Sequence, residues 1–571
     1  MESLYNNNRE NSYNQQCLDG KAKIAYFSME IGINESIPTY SGGLGILAGD
    51  TIKSCADLNV PIVGITLLSE KGYFHQKIDE HGNQLEMPIQ FSAPKYLELL
   101  PPVINISIEE RKVAVCAWLY RHQGINNYVV PVFFLDSNLD QNSEWDRNLT
   151  KYLYGGDEKY RLGQEMVLGI GGIRMLKALG YNKINRYHMN EGHAAFGTLE
   201  LFSELKDADI VRDKCVFTTH TPVAAGHDQF DLSFARPMLG KMLPEDIEHF
   251  ATLSNKLNMT MLALYFSHYV NGVAKKHGEV SRVMFPGYSI DSITNGVHAT
   301  SWVTDSFRNL FDRHIPGWRS DPFTLRSAFS IDKKEVWDAH LDAKKELINF
   351  VNMTCNAGMN TEDFTIGFAR RQTAYKRPDL LLSDINRLEE IAKKAGPVQI
   401  IYAGKAHPQD HSGKESIKKI CQVIMKNNNE NINMVFIPNY DMTIGKMMVA
   451  GVDLWLNTPR RPNEASGTSG MKAACNGVPQ FGTLDGWWLE GCIENITGWS
   501  IGPENMNESH ISDDIADSND LYEKLENAII PKFYNDRDNW IRTMRSCIAI
   551  NGSFFNTNRM VQQYVLNAYF K

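Results

Sequence analysis

The segment Glu464-Ala-Ser-Gly-Thr-Ser-Gly-Met-Lys472 combines small residues, hydroxyl groups and a lysine within nine positions. It follows a predicted strand at 453–456 and leads into a helix that we expect to begin at Ser469. Small residues let the backbone approach a ligand closely, and the free N–H groups at a helix N-terminus bind phosphate. The amine of Lys472 would lie beside such an anion, where it can bond covalently to an aldehyde cofactor. A solvated loop followed by an exposed lysine is the alternative for a string of this composition.

A second cluster is the cationic sequence Arg370-Arg371-Gln-Thr-Ala-Tyr375-Lys376-Arg377, directly after a predicted strand at 365–369. Cations at the C-terminal end of a strand can converge on two phosphate groups in a crevice. Each charge-assisted contact of this kind contributes about 1.5–3 kcal/mol. The alternative is a solvated basic turn.

Three further groups of residues each have an ordinary structural explanation as well. The loop Ser41-Gly-Gly-Leu-Gly45 comes after the first strand, and a plain tight turn would have the same composition. His220 lies at the end of predicted strand 215–219, where a single histidine is more often a core or surface residue than a catalyst. Trp487 and Trp488 form either a platform for stacking sugars or a buried aromatic pair.

Strands and helices alternate along most of the chain, which predicts an α/β protein with parallel sheets covered on both faces. The predicted strands are 23–28, 60–68, 186–189, 215–219, 365–369, 398–403, 434–438 and 453–456. A glycine-led helix after the first strand and helices at 163–179 and 193–205 separate the early strands, and helices starting near 378, 413, 443 and 469 separate the later ones. We predict two Rossmann-like, doubly wound domains that face each other across a cleft, with ligands bound at the C-terminal strand ends.

The domain boundaries follow from the same pattern. Residues 1–22 are polar and are predicted to be flexible. An N-terminal domain at 23–305 carries a β-rich insertion near 85–135. A C-terminal domain at 306–571 carries the lysine segment, and its last helices are expected to pack back on the first domain.

Composition limits the classes of partner. The formal net charge of −9 argues against nucleic acid or an anionic membrane as the main partner. No stretch approaches the roughly 18 apolar residues of a membrane helix, and the polar N-terminus does not have the pattern of a signal peptide. Nine cysteines without a CxxC pair predict no metal site and a reducing, cytoplasmic location.

The lysine segment, in its strand–loop–helix context, closely resembles the pyridoxal phosphate motif of the glycogen, starch and α-glucan phosphorylases. The matching segments together span about residues 23–491 and fit the short-chain, bacterial and archaeal branch of that family. The resemblance implies a fold of the GT-B glycosyltransferase type, a homodimer, and pyridoxal 5′-phosphate bound to Lys472. The implied cofactor contacts are Lys472, Thr468, Ser469, Arg370, Lys376 and Tyr440. The implied substrate contacts are Gly42, Gly43, Leu44, Glu191, Asn295, Glu464, Ser466 and Gly467, with Glu191 in place of the family's aspartate. The implied catalytic residues are Lys472, Arg371, Lys376 and His220.

The resemblance also implies the reaction: reversible phosphorolysis of a terminal α-1,4-glucosidic bond, giving α-glucose 1-phosphate with retained configuration. The cofactor phosphate would lie against the substrate phosphate and share a proton with it. One alternative is a glucan synthase of the same fold that uses a nucleotide sugar, which would explain Arg371 and Lys376 but not Lys472. Another is a catalytically silent glucan-binding protein, which would not need so many cations in its pocket.

Overall fold

The computed structural model describes residues 21–223, 226–427, 429–502 and 513–570, so nearly all of the predicted flexible segment 1–22 lies outside the described residues. The strands are β1 (Ile24–Ser28), β2 (Ile62–Leu67), β3 (His75–Ile78), β4 (Gln84–Met87), β5 (Glu98–Leu99), β6 (Ile104–Ile108), β7 (Arg111–Gln123), β8 (Val129–Asp136), β9 (Arg186–Asn190), β10 (Cys215–Thr218), β11 (Gln229–Asp231), β12 (Thr252–Leu253), β13 (Lys256–Asn258), β14 (Tyr269–Gly272), β15 (Asp291–Ser292), β16 (Phe364–Ala369), β17 (Val398–Ala403), β18 (Ile432–Ile437), β19 (Leu454–Asn457), β20 (Gln480–Thr483) and β21 (Gly498–Ile501).

The α-helices are α1 (Gly43–Asp57), α2 (Glu144–Asn148), α3 (Glu158–Met166), α4 (Gly172–Ala178), α5 (Phe196–Leu205), α6 (Ala208–Lys214), α7 (Leu232–Leu239), α8 (Met259–Tyr265), α9 (Lys275–Met284), α10 (Ala299–Trp302), α11 (Asp305–His314), α12 (Lys333–Cys355), α13 (Ile385–Ala395), α14 (His411–Lys426), α15 (Met442–Gly451), α16 (Ser469–Cys475), α17 (Trp488–Gly491), α18 (Asp514–Lys524), α19 (Ile530–Asn535), α20 (Arg537–Ser546) and α21 (Thr557–Tyr564). A π-helical turn, Val167–Gly171, joins α3 to α4, and similar turns follow α18, α20 and α21. No helix in the described ranges is both long and apolar enough to cross a membrane.

The first sheet has the strand order β15-β14-β10-β9-β1-β2-β8-β7-β5, and β6 pairs with β7. Strands β15 through β8 in this order are parallel, whereas β7 runs antiparallel to β8. The β-rich stretch near 85–135 therefore extends the main sheet, since β8 pairs with β2. Alternate residues of β1 belong to different apolar clusters, with Phe27 in one and Tyr26 in the other. The strand is thus buried on both faces, as is typical of parallel sheets.

The second sheet is fully parallel and has the order β18-β17-β16-β19-β20-β21. This is the 3-2-1-4-5-6 order of a Rossmann sheet, in which ligands bind where the strand order reverses. That reversal lies between β16 and β19. The cationic sequence 370–377 follows β16, and the lysine segment 464–472 follows β19, so both predicted ligand-binding segments lie at the reversal.

Two elements connect the sheets. The hairpin β3–β4, here called the bridging hairpin (residues 75–87), is bonded to the loops that follow β17 and β18. Within it, Gln76 Nε2 donates to the carbonyl of Gly404 at 2.9 Å, and Gln84 Nε2 donates to that of Ala406 at 2.9 Å. Both glutamine side chains are buried, so the hydrogen bonds of their amide groups are protected from water.

The C-terminal helix α21 and the π-helical turn after it pack on the first sheet. Tyr564 Oη lies 3.0 Å from Thr218 Oγ1 of β10, and Tyr569 Oη lies 2.7 Å from His188 Nδ1 of β9. Met560 and Val561 join the apolar cluster that covers one face of β1. The end of the chain is therefore part of the first sheet's core.

Candidate active site

The amine of Lys472 lies in a buried, sparsely bonded position in α16. The residue is 8% exposed, and Nζ lies 3.5 Å from the centroid of the Trp302 ring. Within the described part of the chain, Nζ has no hydrogen-bond or ion-pair partner. Burial lowers the pKa of Lys472 to about 8; the nearby Lys53 lowers it further, and Asp50 partly opposes this. A substantial fraction of the amine is therefore neutral near physiological pH, as a nucleophilic amine requires.

Trp302 is held firmly against the lysine. Its Nε1 donates to Asp50 Oδ2 at 2.8 Å, and the backbone N–H of His298 donates to the same oxygen at 3.1 Å. Asp50 is itself buried in α1. Sequence reasoning did not single out Trp302, because a lone tryptophan outside any motif carries no signal of this kind.

The loop before Lys472 is shaped by two glycines. Gly467 has a φ of +84°, a region in which a side chain is strained. An ideal Cβ on Gly470 would lie 1.6 Å from Gln480 Oε1, so no larger residue fits there without displacing that side chain. Ser466 Oγ is buried and has no hydrogen-bond partner among the described residues. A buried amine with a lowered pKa and an unpaired hydroxyl in the same segment fit an aldehyde cofactor with polar groups.

Glu464 joins two of the predicted cations. Its carboxylate pairs with Arg370 and lies 3.1 Å from Lys376 Nζ. Burial would raise the pKa of Glu464, but the two cations outweigh it and lower that pKa to about 2. The backbone N–H of Glu464 donates to Asp485 Oδ2 at 2.8 Å. These three side chains form one buried group with a single excess positive charge.

The other two cations of the sequence 370–377, Arg371 and Arg377, form no ion pair with Glu464 in the described structure. Arg377 donates to the carbonyl of Thr458 at 2.9 Å and pairs with Asp517 at 2.7 Å, so it has a structural role. Our interpretation that the cations of this sequence converge on phosphate is wrong for Arg377. Arg371 is exposed, and Tyr73 and Glu30 are among the groups that act on it electrostatically.

The glycine loop after β1 is closed by a carboxylate. Glu30 Oε2 accepts from the backbone N–H groups of Ser41 at 2.5 Å and Gly42 at 3.3 Å, while its Oε1 accepts from Tyr154 Oη at 3.0 Å. An ideal Cβ on Gly42 or Gly43 would meet nothing within 4 Å, so this face of the loop is open. Leu44 follows in the first turn of α1. Because Glu30 also acts on Arg371, the loop faces the cationic sequence of the second sheet.

The predicted residues of the first sheet form a separate group at the ends of β9 and β10. Glu191 Oε2 accepts from the backbone N–H of His220 at 2.7 Å and from Thr221 Oγ1 at 3.0 Å. His220 Nε2 lies 2.6 Å from Asn190 Oδ1. Burial lowers the pKa of His220 to about 4, against the opposing charge of Glu191, so the imidazole is neutral at pH 7.

The remaining predicted residues lie at other strand ends. Asn295 follows β15, and its buried Oδ1 has no hydrogen-bond partner in the described part of the chain. Tyr440 follows β18; burial raises its pKa. Thr468 and Ser469 lie at the start of α16. Trp487 and Trp488 are both fully buried, which identifies them as a core pair and excludes a sugar platform.

Direct contacts thus join Arg370, Lys376 and Glu464 in one group, and His220 and Glu191 in another. Among the described residues, no contact links these groups to each other or to Lys472. The same residues contain no cluster of three His, Cys, Asp or Glu side chains able to hold a metal ion.

Comparison with known proteins gives a consistent result. Residues 228–508 match the carbohydrate phosphorylase family. Maltodextrin phosphorylase of Thermococcus litoralis is 39% identical over 96% of this chain and 70% of its own length. Glycogen phosphorylase of Mycobacterium tuberculosis is 34% identical over 96% of this chain and 70% of its own length. Glycogen phosphorylase of Aquifex aeolicus is 33% identical over 96% of this chain and 86% of its own length.

Proposed function

Because this chain belongs to the carbohydrate phosphorylase family, we propose that it is an α-glucan phosphorylase. It transfers the terminal glucosyl unit of an α-1,4-glucan, such as glycogen, starch or maltodextrin, to inorganic phosphate. The product is α-glucose 1-phosphate with retained configuration, and the reaction is reversible. The observation that carries the proposal is the buried amine of Lys472, which has no hydrogen-bond or ion-pair partner in the described ranges and a pKa lowered to about 8.

Lys472 would hold pyridoxal 5′-phosphate, whose phosphate group supplies an acid and base to the substrate phosphate when the cofactor is bound. The amine fits this role because it is buried, largely desolvated and next to Trp302. The backbone of Thr468 and Ser469 would hold the cofactor phosphate, with Tyr440 at the neighbouring strand end. The closely packed Gly470 fixes the turn that presents the lysine.

The chain's own residues divide the remaining work. Arg371 follows β16 and is close enough to Glu30, which binds the glycine loop, to interact with it electrostatically. We infer that it would hold substrate phosphate there. Arg370 and Lys376 are paired with Glu464, and a bound anion would compete for these cations. Glu464 would then be free to accept hydrogen bonds from glucose hydroxyls.

Polar groups around the sugar would fix its orientation. Asn295 Oδ1 and Ser466 Oγ are buried and bond to none of the residues that the structure describes, so each can bond a hydroxyl without losing a contact seen there. Neutral His220 can donate or accept a hydrogen bond to glucose, with Glu191 positioning its backbone. The open face of Gly42 and Gly43 would cover the phosphate and, together with Leu44, exclude water in favour of phosphorolysis.

The proposal includes an organisation of the chain. Residues 23–305 and 306–571 would form the two Rossmann-like domains of a GT-B fold, with the active site in the crevice between them. This is supported by the Rossmann strand order of the second sheet and by ligand-binding segments at its reversal. The enzyme would act in the cytoplasm, as a homodimer.

The deciding experiment is reduction of the purified protein with borohydride, followed by peptide mass mapping. We expect one pyridoxyl group per chain on Lys472 and release of glucose 1-phosphate from maltodextrin and phosphate. Lys472→Ala should fold but lose both cofactor and activity. An active, cofactor-free protein that consumes a nucleotide sugar would instead identify a glucan synthase.

Arg371→Ala provides a second test, because the residue is exposed and its removal leaves no buried partner. In the Arg371→Ala enzyme, the KM for phosphate should rise by a much larger factor than the Kd for maltodextrin. Arg377→Ala is a poor comparison, since Arg377 is structural. Unchanged phosphate kinetics in Arg371→Ala would remove this residue from the site.

A further inference from the structure

A polar cavity of about 310 Å³ lies beside the Lys472 pocket, and the proposed reaction does not use it. Three cationic side chains from three helices line it: Lys53 of α1, Arg308 of α11 and Lys446 of α15. Trp302 also lines the cavity. The cavity is therefore assembled from parts of the chain that are almost 400 residues apart, and it shares one wall with the Lys472 pocket.

The cations outnumber the carboxylates on the cavity wall. Of the lining residues, Glu35 is the one acid, and its Oε2 already accepts a hydrogen bond from Thr443 Oγ1 at 3.1 Å. The lining residues thus carry an excess of two positive charges, which Asp305 reduces to one by pairing with Arg308 from outside the wall. A half-buried excess of positive charge is unfavourable unless a ligand or solvent anion balances it.

The two lysines of the cavity have unused donors, whereas Arg308 is partly paired. Arg308 bonds through NH1 to Asp305 at 2.5 Å and through NH2 to the carbonyl of Val303 at 3.3 Å. Lys53 and Lys446 have no hydrogen-bond or ion-pair partner among the described residues. Burial lowers the pKa of both lysines, which is the expected cost of leaving a charge unpaired and partly desolvated.

We propose that this cavity is a second anion site, which binds phosphate or the phosphoryl group of a small metabolite. A phosphoryl group offsets this excess, and its oxygens can accept from the Arg308 guanidinium and from both lysine ammonium groups. A neutral sugar would leave the charges unbalanced. The site is distinct from the one assigned to substrate phosphate, which uses Arg371.

The location also couples the site to the cofactor lysine. Trp302 forms part of the cavity wall, and its ring carries Lys472 Nζ. An anion bound to Lys53 would offset the positive charge that this residue exerts on Lys472. Occupancy of the cavity would therefore change the protonation of Lys472 without occupying the substrate pocket.

The test is calorimetric titration of the cofactor-loaded protein with inorganic phosphate and, separately, with glycerol 3-phosphate. Wild-type protein should bind two phosphate ions per chain. Arg371→Ala should keep only the cavity site, and Lys446→Met should keep only the substrate site, with the lost site weakened at least tenfold. Lys334→Met, which changes an exposed lysine, is the matched control and should keep both.

The outcomes separate this inference from the proposed function. If Arg371→Ala changes nothing while Lys446→Met removes one site, the cavity site stands and the assignment of Arg371 fails. Glycerol 3-phosphate binding to Arg371→Ala identifies a phosphate ester as ligand, and phosphate binding without it identifies the free ion. A single phosphate site in wild-type protein, or two sites in Lys446→Met, overturns the proposal.

Cofactor content provides an independent readout. Pyridoxal phosphate released by alkali should remain at one per chain in Lys446→Met and in a second variant, Arg308→Gln. Loss of the cofactor from these folded variants would show that the cavity belongs to the cofactor pocket, which also overturns the proposal. Thermal unfolding establishes that each variant is folded. If Lys446→Met or Arg308→Gln is not, the same measurements are made on Lys53→Met.

Discussion

The lowered pKa of Lys472 leads to a quantitative prediction about cofactor capture. Only the neutral amine attacks an aldehyde, so the capture rate should follow the neutral fraction of the side chain. With a pKa of about 8, that fraction rises about 50-fold between pH 6 and pH 8 and only about twofold above it. An ordinary lysine, with a pKa of 10.5, would continue to gain about 75-fold between pH 8 and pH 10.

The perturbation that tests the cause is Trp302→Ala. The indole ring covers Nζ at 3.5 Å, and its removal would admit water to the ammonium group. Since burial is the main cause of the lowered pKa, the break in the rate profile should move from about 8 towards 10.5. The full difference corresponds to about 3 kcal/mol in the free energy of protonation, most of it due to burial. Trp302→Phe keeps an aromatic cover and should keep the break near 8.

The assay mixes cofactor-free protein with pyridoxal 5′-phosphate in buffers from pH 6 to pH 10 and follows the absorbance of the bound cofactor. Parallel reactions with Nα-acetyl-lysine correct for titration of the cofactor itself. Lys472→Ala supplies the background. A wild-type rate that keeps rising steeply to pH 10, or identical profiles for Trp302→Ala and Trp302→Phe, would refute the desolvation argument.

Three further changes should have measurable effects on the purified protein. Glu464→Gln leaves two buried cations without their carboxylate and should cost about 3 kcal/mol in urea unfolding at pH 7. Because the folded pKa of about 2 lies below the ordinary 4.5, this stabilisation is complete above pH 4.5 and is lost as the pH falls towards 2, so the gap to wild type should narrow there. Gly470→Ala should displace the Gln480 side chain and release the cofactor during dialysis, whereas Gly43→Ala faces open space and should keep it; equal retention by both would contradict the packing argument. Gln76→Ala removes buried bonds of the bridging hairpin and should lower the free energy of unfolding by about 2 kcal/mol; an unchanged urea midpoint would show that these bonds do not contribute.

The strands that the sequence predicted well are short apolar runs buried on both faces. Predicted strand 398–403 coincides with β17, and 365–369 differs from β16 by one residue. β20 (Gln480–Thr483) and β21 (Gly498–Ile501) were missed, because each has only four residues and includes glycine. Their burial is set by neighbouring strands and leaves no pattern in so short a segment.

The start of a helix was less predictable where an irregular segment of the candidate site precedes it. A helix was expected near 378, but α13 begins at Ile385. The intervening chain forms 3-10 turns at Ala374–Lys376 and Leu380–Leu382, and Arg377 has a φ of +43°. This irregular path directs Lys376 towards Glu464 and Arg377 away from it. Local propensity does not encode such a path, because it is fixed by ion pairs with distant residues.

The same distinction applies to the site. The segment 464–472 was recognisable because its glycines, hydroxyls and lysine are adjacent in sequence. The pairing of Glu464 with Arg370 was not, since the two residues are 94 positions apart. Trp302 and the carboxylate of Asp50 behind it were invisible for the same reason. A sequence motif identifies residues that can bind a ligand. Tertiary packing determines which of those residues, such as Glu464 and Arg370, form ion pairs with each other.

The bridging hairpin and α21 each pack against the sheet formed by the other half of the chain. The hairpin leaves the first half of the chain to complete the second sheet's loops at Gly404 and Ala406, and α21 returns to complete the core of the first. A chimera of two homologous genes with a single crossover would therefore combine each sheet with a hairpin or a last helix from the other parent. Chimeras that keep both contacts would need four crossovers: one on each side of the hairpin, one between the two halves and one before the last helix.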